Sequence, residues 1–148
     1  MRLSKAGTRP KTENSPMSAE SEYIWQTVKP FAGPYPPQAF QFVQEGLRHT
    51  VETLFDEPDI EDDEEFSRHV SGQQLCMGLR DHAIRQYGLL APHVLASWSI
   101  TRTEDFGNIV FALVDAGLMR KTEEDHLADF ANVYDFDEAF ESPVAPTT

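Results

Sequence analysis

The sequence predicts an all-α protein, a single compact bundle of five to six short helices with a helix-turn-helix-like three-helix arrangement as one form of its core. Three observations predict it. Apolar residues recur at three- and four-residue spacing in successive segments, as one buried face of a 3.6-residue helix requires. Those segments open on hydroxyl or carboxylate caps and several close on glycine. No stretch shows the strict apolar–polar alternation of a half-buried strand. With 148 residues, 40% apolar and 11% aromatic, the chain can fill one core and is short for two.

Residues 1–17, "MRLSKAGTRPKTENSPM", are polar and aperiodic and read as a disordered basic arm carrying Arg2, Lys5, Arg9 and Lys11. The helical domain then spans 18–141. Ser18 caps a short helix in which Ile24 and Val28 share a face, and Lys29-Pro30 ends it. After the connector "PFAGPYPP", Pro37 opens a longer helix to about Phe55, because a proline in the first turn forfeits no hydrogen bond. Phe40, Val43, Leu47, Val51 and Leu54 form its apolar stripe.

Residues 56–65, "DEPDIEDDEE", hold eight acids in ten positions, and their repulsion favours a solvated loop. Ser71 and Gln74 have the spacing of a capping box for the next helix. Leu75, Leu79, Ala83 and Tyr87 make its stripe, and Gly88 stops it. "LLAPHVLASWSI" gives a short helix with Pro92 in its first turn and Leu90, Val94, Leu95 and Trp98 as core candidates.

Thr103 supplies a hydroxyl cap to the following helix, with Glu104 and Asp105 near the positive end of its dipole. Phe106, Ile109, Val110, Leu113 and Val114 face inward before Gly117. Thr122 to Asp125 opens a final helix by the same chemistry, with Leu127, Phe130 and Ala131 inward. Tyr134, Phe136 and Phe140 in "YDFDEAF" are expected to pack back on the bundle, with docking of a partner as their other use, shared with Trp98. Residues 142–148 read as a flexible tail.

Charge is unevenly spread. Residues 1–35 carry +2 and residues 36–148 carry −15, for a net −13. A body this acidic repels phosphate backbones and favours basic partners or cations. The apolar runs are far shorter than the ~20 residues that cross a bilayer, and no apolar segment follows the basic N-terminal residues, so the expected location is cytoplasmic, without membrane association. A single cysteine, Cys76, allows no intramolecular disulfide and no four-cysteine zinc site.

"TRTEDFGNIVF" contains Asp105-Phe106-Gly107, the tripeptide that in protein kinases places its aspartate on magnesium. The Gly-rich loop, the strand lysine and the catalytic loop that this chemistry needs are missing, so Asp105 reads as a helix-start acid and Phe106 as core. The metal candidates are Asp125 and Asp129, at i, i+4 on one helix face, with Asp135 and Asp137 beyond. The histidines at 49, 69, 82, 93 and 126 form no HExxH and no i, i+4 pair. Cys76 reads as a buried hydrophobe, and Ser71 and Ser99 lack a nucleophile-elbow context.

The segments "YPPQAFQFVQEGL", "RHVSGQQLCMGLRDHAIRQYG", "VLASWSI", "TEDFGNIVFALVDAGLMRKTEEDHLADF" and "YDFDEAF", in this order, resemble a family of small conserved bacterial proteins of unknown function. The resemblance covers about residues 20–142 and implies a stand-alone domain with no assigned activity, cofactor or catalytic residues.

The expectation from these readings leans away from an enzyme, with no catalytic or cofactor-binding residues. It is a protein–protein interaction module that meets a basic protein partner. The first alternative is a metal-assisted enzyme using Asp125, Asp129, Asp135 and Asp137. The second is a nucleic-acid binder on a helix-turn-helix-like core, its contacts supplied by the basic arm or, should binding survive without the arm, by Arg80, Arg85, Arg102 or Arg120 and Lys121 on the body.

Overall fold

Helices supply nearly all the regular structure in the computed structural model of the protein, which describes residues 1–3, 19–54 and 69–140. The acidic run at 56–65, the cap at Ser18, arm residues 4–17 and the tail at 142–148 lie outside the described residues. The helices are α1 (Ala19–Val28), α2 (Pro37–Leu54), α3 (Gly72–Tyr87), α4 (Ala91–Ser97), α5 (Thr103–Asp115) and α6 (Phe136–Ala139). Single 3₁₀ turns follow α1, precede α4, and occupy Leu127–Phe130.

The start of α3 is as the sequence predicts. Ser71 Oγ accepts from the Gln74 amide at 3.1 Å, and the Ser71 amide donates to Gln74 Oε1 at 2.9 Å. Gly88 leaves the helix at φ +57° and Gly117 ends the segment after α5 at φ +82°, a region where a Cβ is costly.

Two helices form the centre. α5 buries Phe106, Ile109, Val110 and Leu113 completely. α2 buries Phe40, Phe42, Val43 and Leu47 against α3 and α5. The close approach of α2 and α3 depends on two glycines: a Cβ at Gly46 would collide with Leu79, and one at Gly78 with Thr50.

Several expectations are corrected. The final helix expected from Thr122 does not form. Residues 122–126 make turns held by Asp125, and the 3₁₀ turn at Leu127–Phe130 follows. Phe130 is buried as expected, but Leu127 and Ala131 face outward, because a single 3₁₀ turn offers the core only one of its sides. Leu90 and Leu54 are likewise exposed: Leu90 precedes α4 in a 3₁₀ turn, and Leu54 lies at the outer end of α2.

The residues expected to begin a disordered arm also depart from that reading at their very start. Met1 is fully buried, and a two-residue antiparallel bridge pairs Arg2 with Arg120 and Leu3 with Met119. The Met1 amino group donates to the Val70 carbonyl at 2.7 Å.

"YDFDEAF" packs on the bundle. Phe140 is buried, Phe136 lies 5.8 Å from Phe106, and the Tyr134 hydroxyl donates to the Cys76 carbonyl at 2.7 Å.

Candidate docking surface

Three of the four aspartates singled out by the sequence, Asp125, Asp129 and Asp135, are committed to backbone geometry. Asp125 is 3% exposed. Its Oδ2 accepts from the Thr122 amide at 2.9 Å and lies 2.9 Å from His69 Nε2 and 3.5 Å from the Met1 amino nitrogen. Asp129 accepts from the His126 amide at 2.9 Å, and Asp135 from the Asp137 amide at 3.0 Å. Asp137 is exposed. Asp125 and Asp129 therefore do not share a helix face. Among the described residues, no three His, Cys, Asp or Glu side chains are gathered as a cation site would need.

Burial acts to raise the pKa of Asp125, but the hydrogen bonds from His69 and Thr122 and the nearby positive charges outweigh it. The net position is below the ordinary 3.8. A lowered carboxylate contributes stability that is complete above its unfolded pKa and is lost as pH falls through the folded one. Asp125→Asn is therefore expected to cost about 1.5–3 kcal/mol at neutral pH, the range for hydrogen bonds to a charged group. In urea melts, the gap between wild type and variant should close as pH drops below 3.8. A gap that stays constant down to acid pH would refute this role.

The Asp105-Phe106-Gly107 tripeptide is equally structural. Asp105 is buried, and its Oδ2 accepts from the amides of Thr101 at 2.9 Å and Arg102 at 3.2 Å. Its Oδ1 accepts from the Tyr35 hydroxyl at 2.6 Å. Burial and that carboxylate push the Tyr35 pKa up to about 12. Asp105, rather than the expected Thr103, caps α5. The Thr103 hydroxyl instead donates to the Phe130 carbonyl at 2.6 Å and accepts from the Val133 amide.

Cys76 is fully buried, and burial with the charge of Glu104 pushes its pKa up to about 12. That suits a packed thiol and opposes a thiolate nucleophile. The exposed positions on α5 are Asn108 and Asp115, neither of them basic. Arg80 Nε donates to the Ala139 carbonyl at 3.3 Å, while Arg85, Arg102, Arg120 and Lys121 are exposed. His93 and His126 are also exposed, on separate elements.

What the fold does gather lies along α2. Between α2 and α3 is an open cleft of about 350 Å³, where His49, Thr53 and Leu54 face Gln74, Met77 and Asp81. Leu54 and Met77 are 43% and 48% exposed at this cleft. His49 Nε2 lies 2.9 Å from Asp81 Oδ2, which fixes the polar wall. Deeper in the same seam, His82 is buried 5.6 Å from the His49 ring and 3.7 Å from Glu45 Oε1. Burial pushes the His82 pKa down despite the pull of Glu45.

The pairing of His49 with Asp81 joins residues 32 apart in the chain, so no spacing rule could have found it. Leu54 was visible only as the end of a stripe, and Met77 carried no signal beyond lying off one.

No protein-family model, curated protein or solved structure matches the chain. Among the described residues, no helix is long and apolar enough to cross a membrane.

Proposed function

We propose that the protein is a non-enzymatic interaction module whose α2–α3 cleft receives an apolar side chain from a basic partner segment. The observation that carries this reading is the pair of half-exposed apolar residues, Leu54 and Met77, at one open cleft of about 350 Å³, roomy enough for an apolar side chain and its flanking groups. Apolar side chains entering pockets with polar rims are the usual anchors of protein interfaces. The partner is basic because the chain carries a net charge of −13, which attracts positively charged segments over distances of about a Debye length.

Recovery of partners from native lysate at low and moderate salt tests this, with Met77→Asp as the companion variant. Met77 is exposed, so the change should alter stability by no more than about 0.5 kcal/mol. The expected result is a basic partner that is retained by wild type, weakened by salt and lost with Met77→Asp. Retention by the variant, or no basic partner at low salt, would overturn the reading.

A further inference from the structure

A second concavity lies at the other end of α2, with no lining residue in common with the cleft. Ile24 and Trp25 of α1 face Pro37, Phe40, Gln41 and Gln44 of α2 around a volume of about 100 Å³. Trp25 and Phe40 form its aromatic wall, their rings 6.2 Å apart and tilted by 47°. In a chain that is 25% charged, none of the described residues lining this pocket is charged. Three glutamines line the pocket: Gln38 and Gln41 are exposed, with Gln41 Nε2 turned to Glu45 Oε2 at 3.1 Å, which leaves Gln44 as the buried amide to be accounted for.

Gln44 is 4% exposed, and its Nε2 is buried without a hydrogen-bond partner among the described residues. A buried donor left unpaired is costly, and such groups in folded proteins call for a specific explanation. The terminal torsion of a glutamine is broad and its oxygen and nitrogen are close in size, so rotation about it can present the N–H to the pocket that Gln44 lines. A water alone would answer the donor but would leave the Ile24, Trp25 and Phe40 surfaces unfilled. At about 100 Å³ the pocket is smaller than the engineered apolar cavity of ~150 Å³ that encloses benzene, so a ring bound here lies partly in the pocket's open mouth.

We propose that the α1–α2 pocket is a binding site for a small uncharged molecule, a benzene-sized ring or branched alkyl group bearing one hydrogen-bond acceptor. The apolar part rests on Trp25 and Phe40, and the acceptor, a carbonyl oxygen, takes the Gln44 amide N–H. A carboxylate is disfavoured because no cation lines the pocket to replace its lost hydration. An ammonium is disfavoured for the same reason, since no carboxylate lines it.

The test is a titration of the full chain with benzamide, toluene, benzoate and benzylammonium, followed through the indole N–H resonances of the two tryptophans. Loss of one resonance in Trp25→Phe assigns Trp25. Benzamide should shift the Trp25 signal saturably and leave Trp98 in place. Toluene should bind about three- to tenfold more weakly, the ratio that one neutral hydrogen bond supplies. Benzoate and benzylammonium should bind at least as weakly as toluene.

Gln44→Leu should remove the preference for benzamide over toluene while keeping toluene binding. If that variant loses its dispersed spectrum, Gln44→Met carries the same comparison. Three results would each overturn the proposal: no saturable shift of Trp25, benzamide bound equally by wild type and the Gln44 variant, or benzoate bound as tightly as benzamide.

Discussion

Phe130→Ala lowers the stability of the folded protein by about 3–5 kcal/mol, the usual cost of deleting a fully buried aromatic side chain. Phe130 is 1% exposed and sits edge-on to Phe111 with ring centroids 6.5 Å apart. It is the one fully buried residue of its 3₁₀ turn, so no neighbour within the turn fills the space it leaves. The measurement is the urea midpoint of wild type and variant under identical conditions.

A second substitution makes the contact specific. A Cβ at Gly107 would meet Phe130 Cγ at 2.8 Å and Cβ at 2.9 Å. Overpacking of that kind costs about 1–3 kcal/mol, while glycine to alanine in a helix gains about 1 kcal/mol. Gly107→Ala is therefore expected to be destabilising or near neutral alone, and clearly less harmful once Phe130 is alanine. A strictly additive double variant would show that the two residues do not touch in solution.

Phe140→Ala is expected to cost a similar amount, about 3–5 kcal/mol. Its ring stands 5.0 Å from Phe136 in a T-shaped arrangement, and 6.3 Å from Tyr134. The Tyr134 hydroxyl and the Ala139 carbonyl tie this segment to α3 through Cys76 and Arg80. Phe136 is only partly buried, so Phe136→Ala should cost less than Phe140→Ala. The reverse order would mean that the segment closes on the bundle in another way. Equal and negligible costs would mark it as a surface motif rather than a part of the core.

The proposed docking cleft and the proposed small-molecule pocket fail independently. Met77→Asp alters the α3 wall of the α2–α3 cleft, and Gln44→Leu the α2 wall of the α1–α2 pocket, with no lining residue shared. A protein that loses its partner with Met77→Asp yet takes up benzamide supports both. One that takes up benzamide with no partner at low salt keeps the second alone.

By itself, the sequence determined the features whose physics is local. The Ser71–Gln74 capping box, the stops at Gly88 and Gly117, the proline at the start of α2 and the α5 stripe, fully buried from Phe106 to Leu113 and partly buried at Val114, follow from groups within a few residues of one another. Tertiary structure alone decided where that reach ended. Thr103 was expected to cap its own helix, but its hydroxyl donates to the Phe130 carbonyl 27 residues away, while the helix-start acid Asp105 accepts from the Arg102 amide. Asp125 was expected to share a helix face with Asp129, yet it is buried, with His69, 56 residues distant, 2.9 Å from its carboxylate. Leu54 and Leu90 carried the same apolar chemistry as the buried leucines and ended exposed. Local spacing states which side chains can share a face, but burial depends on which face another element covers, and that is set by contacts between residues far apart in the chain.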